Sequence, residues 1–234
     1  QDEGRNDWDA IRRRFNFLVR LSLYFAVFIC GVSIIYGQFF IDRWMGSDYR
    51  DSYIVLVVMM GGYLIRLVQL PAIPLLYAIS KHKYYTYTNL IEGALNLSIS
   101  LYLVEPLGIV GVALGTAIPM TLTSLFALPW YVCKVTGQDR RRYIFDILRH
   151  MALGLAFLAL GTIPGWWVVK AGYPQLIATF LIQTVIFFPL AARFGFTREE
   201  RASVIGAVSK SVPGLRTFLS RFSGKKEAPG LGSR

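Results

Sequence analysis

The sequence predicts an all-α, polytopic membrane protein with six transmembrane helices, and three observations support that prediction. Apolar residues make up 54% of the 234 residues, and the mean hydropathy is +0.46. Six stretches each hold the roughly 20 mostly apolar residues that cross a bilayer core of about 30 Å. The loops between them are short and alternate in charge, which leaves no room for a soluble domain. The predicted spans are residues 17–41, 53–79, 85–104, 107–132, 147–169 and 173–193.

The charges of the loops predict the orientation of these spans. Lys and Arg gather in the N-terminal segment, in the loops at 80–84 and 133–146, and in the C-terminal tail. The opposite side has only three basic residues, which are Arg43, Arg50 and Lys170. Because loops rich in Lys and Arg stay in the cytoplasm, we expect both termini to be cytoplasmic. We attribute the net charge of +11 to the orientation of the spans and to contact with membrane lipids, and we predict no nucleic-acid partner.

The first span ends in aromatic residues that suit headgroup depth, and the second span contains several residues that are unusual in lipid. Arg66 and Gln69 lie in its interior, followed by Pro71 and Pro74. Each proline removes a backbone donor, so we expect a kink in this helix.

The third span carries three polar residues, Asn89, Glu92 and Asn96, at spacings of three and four. This spacing places them on one face of a helix. A carboxylate exposed to hydrocarbon is costly, so we expect this face to point into protein or water.

The fourth span follows a very short turn predicted at residues 105–106. Gly111 and Gly115 form a small-xxx-small pair, which is typical of closely packed membrane helices. Pro119 and Pro129 predict bends in the same span.

The fifth and sixth spans are nearly free of charge, and Gln183 is the main polar residue inside the sixth. The tail opens with a capping-box sequence at Thr197, and apolar residues then recur at helical spacing across 204–222 among Lys and Arg. This pattern is typical of a basic amphipathic helix at a membrane surface. The predicted division is residues 1–16 as an amphipathic lead-in, 17–194 as the six-span membrane domain, and 195–234 as a cytoplasmic tail with a disordered end.

Catalytic and metal-binding motifs are absent from the sequence. No nucleophile elbow, phosphate-binding glycine loop or paired-histidine zinc motif occurs, so we predict no enzyme activity, catalytic residue or cofactor. Cys30 and Cys133 lie at different predicted depths, which argues against a disulfide. His82 and His150 lie in or beside different loops, so no metal site is predicted.

Arg66 is the residue most indicative of function. It falls near the middle of the second span, too deep for its side chain to reach either surface easily. Its planar guanidinium suits bidentate recognition of phosphate. Two interpretations stay open: an ion pair with Glu92, or an unpaired arginine that faces a substrate. Both hold if the pair breaks during a transport cycle.

Three segments together resemble a known family. They are FIDRWMGSDY, LIRLVQLPAIPLLYAISKHKYYTYTNLIEGALNL and PLGIVGVALGTAIP, within about residues 10–135. They are similar to the C-terminal region of the bacterial polysaccharide exporters, the lipid-linked oligosaccharide flippases of the multidrug/oligosaccharidyl-lipid/polysaccharide superfamily. The last two predicted spans agree with that family in hydropathy alone.

The resemblance implies a two-lobed transporter with up to fourteen spans that works by alternating access. It implies a function in translocating undecaprenyl-pyrophosphate-linked oligosaccharide across the bacterial inner membrane for O-antigen, capsule or exopolysaccharide synthesis. The implied substrate-binding residues are Arg66, Gln69, Asn89, Glu92 and Asn96. The chain opens at Gln1 without an initiator Met, and we expect the missing N-terminal spans of the same transporter to be its partner.

Three alternative functions remain open at this point. A cation-coupled multidrug exporter of the same superfamily would use a carboxylate as its ion site, and Glu92 is the only good candidate. A membrane-bound sugar polymerase or ligase would need a sizeable outer loop, which the sequence lacks. A purely structural membrane subunit would tolerate replacement of Arg66.

Overall fold

A computed structural model of the chain describes residues 8–165, 172–197 and 200–201. Every regular element within these residues is helical and none is a strand, which confirms the all-α prediction. The elements are α1 (Trp8–Trp44), a 3₁₀ turn (Ser47–Tyr49), α2 (Arg50–Val68), α3 (Ala72–Ala78), α4 (Lys83–Leu122), a π-helical turn (Thr123–Ala127), α5 (Leu128–Thr136), α6 (Arg140–Gly165) and α7 (Tyr173–Gly195).

Five helical stretches among the described residues are long and apolar enough to cross a membrane, where the sequence predicts six spans. They are Trp8–Trp44, Asp51–Ala78, Lys83–Thr136, Arg140–Thr162 and Tyr173–Gly195. The third and fourth predicted spans both fall inside the 54-residue stretch Lys83–Thr136, which accounts for the difference. The end of the fifth predicted span, residues 166–169, lies outside the described residues.

The stretch Lys83–Thr136 is a helical hairpin. Gly108 has φ +55° and ψ −133°, a conformation that is accessible to glycine and strongly disfavoured for other residues. A Cβ added at Gly111 would meet the backbone of Leu103, and one added at Gly115 would meet Ser100. The chain therefore reverses at Gly108, two residues beyond the predicted turn, and its two arms pack through the predicted glycine pair.

The kink predicted in the second span is a complete interruption of the helix. α2 ends at Val68 and α3 begins at Ala72, with Pro71 directly before α3. The backbone N–H groups of Gln69 and Leu70 donate to the carbonyls of Arg66 and Leu67, which closes the last turn of α2. Only the seven residues of α3 follow the interruption, which therefore lies in the second half of the stretch Asp51–Ala78.

Contacts between residues near the helix ends show which helix ends lie together at each end of the bundle. At one end, Nε of Arg12 donates to the carbonyl of Thr136 at 2.7 Å, and the hydroxyl of Tyr131 donates to the carbonyl of Lys81 at 3.0 Å. We call this the basic end. At the opposite end, the Arg43 guanidinium lies 5.9 Å from the centre of the Tyr173 ring. This grouping of loops agrees with the alternation that the charges predict.

α1 packs against α2, α6 and α7 and supplies much of the buried apolar surface. Leu23 and Tyr24 on α1 are at most 1% exposed, and Phe187 on α7 is fully buried. The rings of Tyr24 and Phe28 lie 6.4 Å and 5.2 Å from that of Phe187. We call this group of helices, α1, α6 and α7, the packed side.

The chain beyond Gly195 belongs to a separate unit, residues 196–234. The Thr197 hydroxyl accepts a bond from the Glu200 N–H at 3.3 Å, and the Glu200 carboxylate accepts one from the Thr197 N–H at 2.9 Å. These reciprocal bonds form the predicted capping box. The predicted amphipathic segment 204–222 and the disordered end lie outside the described residues.

Candidate functional site

Arg66 lies in the last turn of α2, immediately before the interruption of that helix. The carbonyl end of a helix carries partial negative charge, which favours a cation at this position. In membrane transporters, interrupted helices near the bilayer midplane expose backbone groups and helix ends where substrates and ions bind. The local chain geometry therefore both stabilises the guanidinium and marks its surroundings as a candidate site.

The guanidinium of Arg66 reaches across to the hairpin. Its NH1 group lies 3.2 Å from Oε2 of Glu92 and 3.4 Å from the hydroxyl of Ser124. Its NH2 group donates to Oδ1 of Asn89 at 3.5 Å. Of the two interpretations open from the sequence, the ion pair with Glu92 is present in the structure.

Glu92 also accepts a hydrogen bond from the hydroxyl of Thr123 through the same Oε2 atom. Thr123 opens the π-helical turn Thr123–Ala127 between α4 and α5. Such turns occur often at functional sites, because they displace side chains from the regular helical face. Arg66, Asn89, Glu92, Thr123 and Ser124 together form what we call the Arg66 cluster.

The ion pair is partly open to its surroundings. The side chain of Arg66 is 21% exposed and that of Glu92 is 17% exposed, although both lie within stretches long and apolar enough to span a membrane. A fully buried pair loses most of its hydration, whereas this pair retains an exposed face within the chain. The arrangement therefore offers a positive charge that is held in place but accessible.

Two predicted site residues lie outside the Arg66 cluster. Asn96 accepts hydrogen bonds from the hydroxyls of Ser100 and Thr116, at 3.1 and 3.4 Å, and so joins the two arms of the hairpin one turn further along. Gln69 is 4% exposed, and its Oε1 accepts a bond from the hydroxyl of Tyr143 at 2.9 Å. Because α2 ends before Gln69, this side chain packs against α6 rather than beside Arg66.

Sequence reasoning missed Thr123 and Ser124, both of which contact the pair. Hydroxyl side chains are common in membrane helices, where they usually bond to the preceding turn of their own helix. The one available signal was their position between Pro119 and Pro129, which bracket a segment that departs from regular helix geometry.

A second polar cluster lies on the packed side. The hydroxyl of Tyr24 and Nδ1 of His150 lie 2.9 Å apart, and Nε2 of His150 lies 3.4 Å from Oδ1 of Asp146. In the tautomer with the proton on Nε2, that proton faces Asp146 and Nδ1 accepts from Tyr24. His150 is 6% exposed, although the sequence places it in or beside a loop.

The donor set of the Arg66 cluster suits an anion or a polyhydroxylated ligand. The guanidinium, the Ser124 hydroxyl and the Asn89 amide can each donate a hydrogen bond, and the guanidinium fork matches the geometry of phosphate oxygens. Among the described residues, no group of three or more His, Cys, Asp and Glu side chains could hold a metal ion.

Comparison with known proteins gives one membrane-protein relative. The chain is 26% identical over 222 residues to the uncharacterized membrane protein EpsK of Bacillus subtilis (strain 168), an alignment that covers 89% of this chain and 42% of EpsK. The chain therefore spans less than half the length of that relative. No family model matches the chain. No solved structure matches it either. The similarity and the apolar helices agree that this is a helical membrane protein.

Proposed function

We propose that the chain is one lobe of a membrane flippase that translocates polyprenyl-pyrophosphate-linked oligosaccharide for cell-surface polysaccharide synthesis. The Arg66 cluster carries this proposal. The Arg66 guanidinium is partly exposed within the apolar stretch Asp51–Ala78, beside a helix interruption and a π-helical turn. This position suits an anionic headgroup that must pass through the bilayer. Transport of this kind needs no covalent chemistry, and the lobe is proposed to act without enzyme activity or cofactor.

In this proposal both arms of the hairpin cross the membrane. The lobe then has six membrane crossings and is part of a transporter with fourteen. The antiparallel contacts from Glu92–Thr123 to Ser100–Val112 support two crossings rather than one long tilted helix. The basic end is proposed to face the cytoplasm of the inner membrane, because Lys and Arg concentrate there. A second lobe, the N-terminal spans of the same transporter, is proposed to face the Arg66 cluster and enclose a cavity.

The proposal is tested by replacing Arg66 in the source organism and measuring both surface polysaccharide and accumulated lipid-linked oligosaccharide. Arg66→Ala removes the guanidinium, so export should fall at least about tenfold while the lipid-linked intermediate accumulates. Arg66→Lys keeps the charge without the planar fork and should give an intermediate loss of export.

Arg141→Ala is the matched control, because Arg141 is exposed at the start of α6 and lies outside the cluster. It should leave export and protein level unchanged. Full export with Arg66→Ala at normal protein level in the membrane would contradict the proposed function and leave a structural role for the chain.

A cation-coupled exporter is the second candidate, and one observation favours it. Oε2 of Glu92 is shared between Arg66 and Thr123, so protonation or cation binding at this carboxylate would loosen both contacts. This candidate predicts drug efflux that Glu92→Gln abolishes. Unchanged drug sensitivity in that variant, together with lost polysaccharide export, would favour the flippase.

A further inference from the structure

A groove lined by aromatic residues and by Arg140 lies on the hairpin between the Arg66 cluster and the basic end. Its volume is about 420 Å³, and three aromatic rings form much of its wall: Tyr84, Phe126 and Trp130. Tyr84 is held in position by a stacked contact with Tyr131, with ring centres 4.2 Å apart, and its ring lies 5.8 Å from that of Trp130. The aromatic wall is therefore fixed by contacts within the hairpin.

Arg140 gives the lining of the groove a positive charge. Arg140, the first residue of α6, lines it, and Nζ of Lys134 lies 5.1 Å from the centre of the Trp130 ring. The neighbouring Asp139 pairs with Arg142 at 3.7 Å, and within the described residues Arg140 makes no ion pair. No acidic residue lines the groove in the described part of the chain. The groove thus favours anions and disfavours cationic ligands.

The inner end of the groove joins the Arg66 cluster. Thr123 lines the groove and donates its hydroxyl hydrogen bond to Glu92, the partner of Arg66. A ligand that passes Thr123 would therefore meet the cluster next. The groove holds Arg140, the cluster holds Arg66, and Thr123 belongs to both.

We infer that this groove is a loading site for the saccharide-diphosphate headgroup of a glycolipid. Arg140 would bind the diphosphate, and Trp130 with Tyr84 would pack against the apolar C–H face of the first sugar ring. The phosphate of an ordinary phospholipid would also bind Arg140 but brings no sugar ring to Trp130 and Tyr84, and a flat cationic drug would be repelled by Arg140. This inference rests on the proposed function, because it names where the same substrate binds before it reaches Arg66.

The test uses the whole chain in nanodiscs and two probes, farnesyl diphosphate and farnesyl diphosphate carrying one hexose, with affinities measured by calorimetry. Arg140→Gln should raise the Kd of both probes about tenfold, because both carry the diphosphate. Trp130→Leu should raise the Kd of the hexose-bearing probe alone, by about fivefold, and Trp130→Phe should restore most of that loss.

Two matched controls accompany these variants. Arg141→Gln removes a neighbouring exposed arginine that does not line the groove, and Trp44→Leu removes an exposed tryptophan on a different helix. Neither control should change either Kd beyond about twofold. Trp130 is 41% exposed, so its replacement should leave folding intact, which melting of each variant verifies.

Three outcomes would overturn the inference. Equal effects of Arg140→Gln and Arg141→Gln would mean that charge acts nonspecifically. Equal effects of Trp130→Leu on both probes would mean that the ring does not contact sugar. Quenching of Trp130 by bromine-labelled acyl chains that persists at saturating probe would mean that bulk lipid occupies the groove. Binding is measured without transport, so a failure here leaves the Arg66 export experiment intact, and the reverse also holds.

Discussion

The two sides of this bundle treat polar residues differently. On the packed side, His150 and Gln183 are at most 6% exposed, and each bonds to a group on a neighbouring helix. Around α2 and the hairpin, which we call the polar seam, Arg66 and Glu92 are about one fifth exposed, and one carboxylate oxygen serves two donors. Polar groups therefore join helices on the packed side and remain accessible at the polar seam.

Exposure therefore distinguishes the two uses of a polar residue in a membrane helix. A polar side chain that is buried and bonded to a neighbouring helix contributes modestly to helix association. A charged side chain that is partly exposed within an apolar stretch costs free energy and persists where a ligand or a water-filled cavity compensates for it. Substitutions on the two sides should accordingly separate stability from export.

The largest effect should follow from wedging the hairpin open with Gly115→Leu. A Cβ at Gly115 would overlap the side chain and backbone of Ser100, so the arms must separate and the stability should fall by about 3 kcal/mol. Thermal unfolding of the purified chain measures this loss.

Gly93→Leu is the control for the hairpin, because a Cβ at Gly93 meets nothing within 4 Å. It should change stability by less than about 0.5 kcal/mol. Comparable destabilisation by both variants would show that the arms do not rely on close glycine contact.

Glu92→Gln should have the next largest effect, at the polar seam. It leaves Arg66 without its counter-charge, and because the pair is partly exposed the stability should fall by about 2 kcal/mol rather than the 3–5 kcal/mol of a fully buried pair. Export should fall with it. Unfolding and export are measured for Glu92→Gln and for the control Glu105→Gln, since Glu105 is an exposed glutamate on the same arm. Equal results for the two variants would mean that the ion pair contributes to neither stability nor export.

Tyr24→Phe tests the packed side with the loss of a single hydroxyl. The ring contact with Phe187 remains, but Nδ1 of His150 loses its buried partner, which should cost about 1 kcal/mol. Export should stay at the level of the unmodified protein. A large loss of export at normal protein level would show that the packed side also takes part in function.

Gln183→Leu should have the smallest effect. Its Nε2 donates to the Leu158 carbonyl at 2.8 Å, while its buried Oε1 has no hydrogen-bond partner within the described residues. Replacing the amide by an apolar side chain of similar size removes both the bond and the unsatisfied oxygen, so stability should change by less than about 0.5 kcal/mol. Destabilisation by more than about 1 kcal/mol would mean that the amide is essential to the contact between α6 and α7.

Much of the Arg66 cluster could be predicted from local spacing. Asn89, Glu92 and Asn96 share a helix face because of their separation in sequence, and Arg66 stood out because arginine is rare in apolar helices. Thr123 and Ser124 could not be predicted, because their contacts cross more than 30 residues of chain and depend on where the hairpin reverses. Gln69 was grouped with Arg66 by proximity in sequence, and the interruption of α2 separates them.

The helices and the alternation of charged loops followed from the sequence, because each depends on residues close together in the chain. The reversal of the hairpin was expected at residues 105–106 and lies at Gly108 in the structure. The tertiary structure alone decided that Arg66 pairs with Glu92, that His150 is buried against Tyr24, and that aromatic rings from α4 and α5 form one groove with Arg140. Those contacts depend on how apolar helices pack, and hydropathy does not encode which faces meet.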